Sequence, residues 1–322
     1  MKIDAVITWV NGNDPLHREK RQKYASKDTL EASDKGGDAR YSDLGEIFWC
    51  VASLNRFAPW LNKIYIVTDN QDPNLEGFVL ANFPEGHIPM EIVDHTVIFK
   101  DYEQFLPTFN SISIETMTWR IPGLSDWFIE FNDDLMLLNP VFPEDFFTED
   151  GKVVCYGEWS SVIWDRFTRL LKGRSAGQRK VTTKESHMNG AALTGRSLFY
   201  IRPAHCQKAL RRDVYDEFFK NNPGKLLENV QYRFRDVRQF TPQVMHYMTL
   251  YKHGLCDIRS ARNKCFFMQP NGDSAYFRKK FMQLKNFMGK FACFNSIDQA
   301  DDKQLNDLIA WIEKKLTIVF NK

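Results

Sequence analysis

The sequence predicts an α/β fold built on a mainly parallel sheet, and three observations lead there. Short apolar runs rich in Val, Ile and Phe alternate along the first half with segments whose apolar residues recur at helical spacing. Each run closes in a polar loop carrying Gly, Asn or Asp, the residues that tolerate turn geometry. The chain has 322 residues, 43% of them hydrophobic and 26% charged, which is ordinary globular composition and enough length for a sizeable core.

Taken in order, Ile3-Asp4-Ala5-Val6-Ile7-Thr8-Trp9-Val10 reads as a buried strand, and Asn11-Gly12-Asn13-Asp14-Pro15 as the turn that ends it. Residues 16–42 are polar and lysine-rich, with helical stretches and the turn Asp34-Lys35-Gly36-Gly37-Asp38, and read as a lid or spacer. Over 43–58, Ile47, Val51 and Leu54 fall on one helical face before Ala58-Pro59-Trp60 stops the helix. Residues 63–68 form the next strand, 88–93 another, 111–120 a helix and 127–131 a further buried strand. Strand, helix, strand in that order implies parallel pairing. Ligands of such sheets sit beyond the carboxyl ends of the strands, so the polar loops 11–14, 69–71 and 132–134 are expected to share one crevice. The second half reads as mainly helical, with helices over 203–222, 241–253 and 302–317; in the last, Leu305, Leu308, Ile309, Ile312 and Leu316 share a face. No internal repeat is evident.

Several classes are disfavoured. A net charge of +2 gives no global reason to bind nucleic acid. Cysteines 50, 155, 206, 256, 265 and 293 include no CxxC, which argues against a structural zinc site and fits reduced thiols in a cytoplasmic protein. The N-terminus enters a strand pattern without a signal-peptide profile, and no apolar run is long enough to span a bilayer. Membrane contact would be peripheral.

The most informative stretch is Phe128-Ile129-Glu130-Phe131-Asn132-Asp133-Asp134, where a buried strand ends in two adjacent carboxylates. Mg²⁺ and Mn²⁺ commonly take one or two carboxylates plus substrate phosphate oxygens. An acidic pair at a strand end is equally a solvated turn.

Four ordered motifs add to it: residues 3–15, residues 58–69 with Ala58-Pro59-Trp60 and Ile64-Tyr65-Ile66-Val67-Thr68-Asp69, Leu106-Pro107-Thr108-Phe109-Asn110-Ser111, and Phe131-Asn132-Asp133-Asp134. Together they closely resemble the Stealth proteins, over 3 to about 317 and most strongly before 140. That family contains bacterial capsular polysaccharide phosphotransferases and resembles the catalytic subunit of the animal N-acetylglucosamine-1-phosphotransferase. The resemblance implies a Rossmann-like nucleotide-sugar-binding core over 1–150 and a mainly helical part over 151–322 that completes the site. It implies transfer of hexose-1-phosphate, such as N-acetylhexosamine-1-phosphate, from a UDP-sugar to a glycan hydroxyl with release of UMP. Mg²⁺ or Mn²⁺ is expected on Asp133 and Asp134.

By the same resemblance His205 is the candidate general base and Arg235, in Arg233-Phe234-Arg235, grips phosphate oxygens. Trp9, Asn11, Gly12, Asn13 and Asp14 are expected to hold uridine or the pyrophosphate. Arg40, Asp43 and Glu46 match an Arg-x-x-Asp-x-x-Glu stretch, with Asn110, Ser111, Glu115, Asn132 and Arg233 completing the substrate set. Each has a plainer reading: a helix cap for His205, Asn110 or Ser111, a strand edge for the arginines, an exposed helical turn for Asp43 and Glu46.

The chain also departs from the pattern. Phe48 and Ala52 stand where relatives carry arginines, and Gln239 where many carry Asp. A common Cys-x-Asn-Asp becomes Cys293-Phe294-Asn295-Ser296, leaving Asn295 and Asp298 either to close the metal site from the second half or, for Asp298, to charge the N-terminus of helix 302–317. Two basic stretches, 172–184 and 278–290, suit lipid headgroups, a polyanionic glycan or a solvated helix face. Rival readings are a metal-dependent glycosyltransferase that releases UDP, and a non-catalytic nucleotide-sugar or glycan binding protein.

Overall fold

The computed structural model describes residues 1–25, 41, 43–171, 182–195 and 198–319, with side chains omitted for 169–171. Strand β1 (Ile3–Thr8) leads through the turn into α1 (Pro15–Tyr24), capped by Asp14, whose carboxylate accepts from the Leu16 N–H. Helix α2 (Glu46–Phe57) follows, then β2 (Ile64–Thr68), α3 (Leu75–Asn82), β3 (Met90–Asp94), the short α4 (His95–Ile98) and α5 (Ser111–Glu115), and β4 (Trp127–Asn132). These strands lie in the order β3-β2-β1-β4, all parallel, with Thr8 opposite both Val67 and Asn132. The parallel α/β core is therefore as the periodicity predicts. Its strand order reverses beside β1, which puts the switch-point crevice at the carboxyl ends of β1 and β4.

The second half is richer in strands than its sequence suggests. After β5 (Leu135–Leu137) come β6 (Val153–Ser161), α6 (Val162–Leu171), α7 (Thr183–Ala192), β7 (Phe199–Pro203) and β8 (Lys208–Arg211). Then follow α8 (Arg212–Asn221), α9 (Pro223–Val230), α10 (Pro242–Lys252), β9 (Cys256–Arg259), β10 (Cys265–Met268), α11 (Ser274–Lys285), β11 (Phe291–Phe294) and α12 (Asp302–Leu316). Within the described part of 151–322 six strands run among seven α-helices, and 203–211 is strand and loop rather than the start of a helix. β8 extends the main sheet antiparallel to β4, while β5 and β10 flank β11 in a second sheet and β7 and β9 flank β6 in a third. Because both halves share a sheet and a buried apolar cluster, they do not separate into independent cores.

Helix α2 is the keystone. Ile47, Cys50, Val51 and Leu54 pack on the main sheet, while Trp49 and Ala52 face Met136, Leu308, Ile312 and Leu316. Each fully buried Leu or Ile contributes about 2 kcal/mol. This two-sided burial bears on the missing arginines: Ala52 is fully buried and offers a cation no access to solvent, while the partly buried Phe48 packs edge-on against Phe78.

On the edge strand, the Arg211 N–H donates to His246 Nε2 at 2.8 Å from α10. That acceptor must be neutral, and burial, helped by Arg211, pushes the His246 pKa down to about 3. A histidine depressed in the fold contributes stability that is present above its unfolded pKa of about 6.5 and is lost as pH falls from there toward 3. Between pH 7.5 and 5.0 the wild-type chain is expected to lose about 2 kcal/mol more than His246→Gln, which cannot titrate. Urea unfolding of both proteins at the two pH values measures the difference; equal losses would contradict it.

Candidate active site

The crevice is built where β1 and β4 end. Thr8 Oγ1 donates to Asn132 Oδ1 at 3.3 Å, tying the two strand ends together, and the chain then turns through Asp133 and Asp134 into β5. Strand β11 runs beside β5, so its end delivers Cys293 and Asn295 to the same turn. The Asn295 Nδ2 donates to Asp134 Oδ2 at 3.1 Å and the Cys293 thiol lies 3.4 Å from that oxygen. Asp134 Oδ1 is buried with no hydrogen-bond partner. Burial raises the Asp133 carboxyl well above its usual range, and Asp134, Glu46 and Asp43 push in the same direction. Glu46 is itself pushed up to about 7, mainly by burial.

Four acids, Asp43, Glu46, Asp133 and Asp134, thus influence one another across the crevice. Among the described residues no three His, Cys, Asp or Glu side chains close into a ready-made ligand cage. A cation that keeps waters and leans on substrate phosphate needs only one or two carboxylates. The orphaned Oδ1 of Asp134 beside an electrostatically strained Asp133 fits that need. Asp298 does not join them: it accepts from Gln299 at 2.8 Å and makes no described contact with the pair. Nor does it cap α12, a role taken by Asp301.

The first polar loop is held from both sides. Trp9 Nε1 donates to Asp43 Oδ2 at 3.2 Å, and Asn13 Nδ2 donates to the Asp43 carbonyl at 2.9 Å. Gln71, from the loop after β2, donates to the Asn11 carbonyl and to Asp14 Oδ2 and accepts from the Asn11 N–H. Asp14 thus accepts from Gln71 and caps α1. Gly12 lets the backbone of Tyr41 approach, since a Cβ there would lie 2.0 Å from the Tyr41 carbonyl oxygen. Arg40 lies outside the described residues.

A second cluster supports the loop after cis Leu106-Pro107. Asn110 is fully buried; its amide donates to the Tyr232 carbonyl and to Gln239 Oε1, while its Oδ1 caps α5 through the Ile112 N–H. Gln239, also fully buried, donates to Ser113 Oγ and to the Asn229 carbonyl. Asn110 thus positions this loop rather than meeting a sugar, and Gln239 is a satisfied structural hub. Arg233 donates to the carbonyls of Gln104 and Leu106 and lies over Tyr24, which also makes it a clamp on the loop. Arg235 is partly exposed and its Nη2 donates to Ser111 Oγ at 2.7 Å.

Glu115 meets a residue that sequence reasoning passed over. Gln243 donates both to Glu115, at 2.8 Å, and to Glu130, in the middle of β4. Burial first, then Glu115, raises Glu130 to about 8, so it holds its proton near neutrality. A charged residue inside the run Phe128-Ile129-Glu130-Phe131 was the available signal.

His205 lies in the loop between β7 and β8, not at a helix start, and it stacks on Phe267 of β10 with ring centres 4.7 Å apart. The imidazole is exposed at one face. The protein around it lowers its pKa, with Lys208 and Arg202 acting alike, while the charge of Asp134 opposes them. Of the two acids in the turn, Asp134 is the one whose charge acts on His205.

Residues 1–29 match Stealth protein CR1, conserved region 1, and residues 40–155 match Stealth protein CR2, conserved region 2. This chain belongs to the Stealth family. The acidic turn, the Trp9 loop and the Asn110 loop all fall within those Stealth regions. The chain is 39% identical over 171 residues to the capsular polysaccharide phosphotransferase WcwK of Streptococcus pneumoniae, covering 52% of this chain and 47% of that protein. Against the capsular polysaccharide phosphotransferase LcbA of Aeromonas hydrophila the identity is 28% over 295 residues, 88% of this chain and 75% of the relative. The chain spans just under half the length of WcwK. A solved structure of the galactosyltransferase LgtC, in complex with donor and acceptor sugar analogs, aligns with 99% of this chain and 98% of its own at a TM-score of 0.47 and 12% identity.

Proposed function

We propose that this Stealth protein transfers hexose-1-phosphate from a UDP-sugar to a hydroxyl of a glycan acceptor, forming a phosphodiester and releasing UMP, in the synthesis of a bacterial surface polysaccharide in the cytoplasm. The observation that carries the reading is the Asp133-Asp134 turn at the switch point, with Asp134 Oδ1 buried and unpartnered and His205 feeling the same charge. Asp133 and Asp134, with Asn295 orienting Asp134, would hold Mg²⁺ or Mn²⁺, which when bound neutralises the pyrophosphate and polarises the phosphoryl group.

The residues then divide the work. Arg235 holds phosphate oxygens of the donor and stabilises charge as the bond breaks. His205 accepts the proton of the acceptor hydroxyl while that oxygen bonds to the β-phosphorus. The bond from that phosphorus to the oxygen bridging to the α-phosphate breaks, and its electrons leave with UMP. The Trp9–Asp43 and Asn11–Gln71 contacts hold the loop that faces uridine and ribose.

The test is the nucleotide released by purified protein with UDP-sugars, divalent cation and capsule oligosaccharides. UMP matched by acceptor phosphodiester is expected. UDP would place the attack at the anomeric carbon and make the protein a glycosyltransferase; donor binding without turnover would make it a binding protein.

A further inference from the structure

Helix α6 inverts the usual arrangement of a surface helix. Its buried face carries a carboxylate: Asp165 accepts from Ser160 Oγ at 2.9 Å, Tyr200 Oη at 2.7 Å and Lys184 Nζ at 2.6 Å. Those bonds pin the helix to β6, β7 and α7. Its solvent face carries Ile163 and Trp164, each 64% exposed, and Phe167, with Trp164 and Phe167 in ring contact at 6.0 Å. Residues at i, i+1 and i+4 share one side of a helix, so the three form a single apolar surface. Leu198 and Phe199 extend it, because the Val162 N–H bonds the Leu198 carbonyl and both side chains are exposed. A contiguous apolar patch of this kind on a soluble fold marks an interaction site.

We infer that this face docks on an anionic phospholipid bilayer. Charge complementarity selects that occupant: residues 166–180 contain six Lys or Arg and no Asp or Glu, and Arg166 is exposed beside the apolar face. Residues 172–181 lie outside the described ones, so most of that run contributes here as sequence charge, and the docking surface itself is the described face. Trp, Phe and Ile on one side with a cation, Arg166, at the flank suit a helix that lies in the headgroup plane, where aromatic rings are favoured and basic sequence charge adds attraction to anionic lipid. Among the described residues no helix is long and apolar enough to cross a membrane, so docking would lie in the interface. Strand β7 runs from this face at Phe199 to the loop bearing His205, about 20 Å at the rise of an extended chain, which sets the candidate site close to the docked surface.

Co-sedimentation with phosphatidylcholine vesicles, with and without about one-third phosphatidylglycerol, tests the inference. The expected result is binding at least about tenfold tighter to the anionic vesicles, weakened by salt, and lowered about tenfold or more by Ile163→Ser/Trp164→Ser/Phe167→Ser with the thermal melt unchanged. Trp164→Ser alone is expected to give a smaller loss in the same direction, which guards against misfolding of the triple variant. Lack of binding by the wild-type chain, or binding that survives the triple change, would overturn the inference. So would a wild-type dimer that the same change converts to monomer by light scattering, since the face would then join two copies of this chain.

Discussion

Asp134→Ala and Asp133→Ala are each expected to reduce turnover by at least about 10³-fold, because loss of a cation's charge stabilisation removes several kcal/mol from the transition state and each 1.36 kcal/mol is tenfold. The structure supplies a second readout that separates this from misfolding. Asp133 is already destabilised as a carboxylate by burial and by Asp134, Glu46 and Asp43, so the fold bears the cost of a charge it does not use for packing. An acid whose folded pKa is raised contributes stability below its unfolded value that is lost as pH rises. At neutral pH in EDTA, Asp133→Asn is therefore expected to melt at or above the wild-type temperature. Mn²⁺ should raise the melting temperature of the wild type and leave Asp133→Asn unmoved. A variant that melts lower in EDTA would mean that Asp133 is structural, and the turn would have to be reread. Asp298→Ala should behave as wild type in both assays, since its described contact is to Gln299 alone.

The part of this site that was legible in sequence is the part set by local chemistry. β1, β2 and β4 are buried on both faces of a parallel sheet, so they read as near-continuous apolar runs, and their polar ends locate the crevice. Most of what failed were elements too short or too edge-like to show a period, the nine-residue β6 being the exception. β8, β10 and β11 span four residues each, below the length at which strand and helix patterns differ, and β7 ends on a proline. The helix expected over 111–120 stops after Glu115, where Thr116 Oγ1 turns back to the Ile112 carbonyl at 2.6 Å and competes with continuation.

Supporting partners were hidden for a different reason. Gln71, Gln239 and Gln243 are amides whose roles come from contacts made, in Gln239 and Gln243, with residues more than a hundred positions away, and no local spacing encodes them. The same long-range logic explains how several expected ligands became supports. Asn110, Asp14 and Arg233 are polar groups of the right type that the fold spends on its own backbone and neighbouring side chains, whereas His205 is exposed.

His205→Ala is expected to lower kcat by about 10² to 10⁴-fold while donor affinity stays within a fewfold of wild type, the range over which a positioned general base acts. Its position argues for the split: it rests on Phe267, in a loop between strands of different sheets, and makes no contact with the Trp9 loop or the Asn110 loop among the described hydrogen bonds. The pH dependence gives the sign. A base must be unprotonated to accept the acceptor's proton, and His205 is held below the ordinary histidine value by the protein around it, with Lys208 and Arg202 adding to that and Asp134 opposing. Turnover should therefore persist somewhat below pH 6.5 and then fall, and Lys208→Ala should move that acidic limb upward, because it removes a charge that disfavours the imidazolium. An acidic limb that stays fixed in Lys208→Ala, or near-native turnover in His205→Ala, would remove His205 as the base and leave proton removal to the acids of the crevice, of which Glu46, already raised to about 7, is the next to replace.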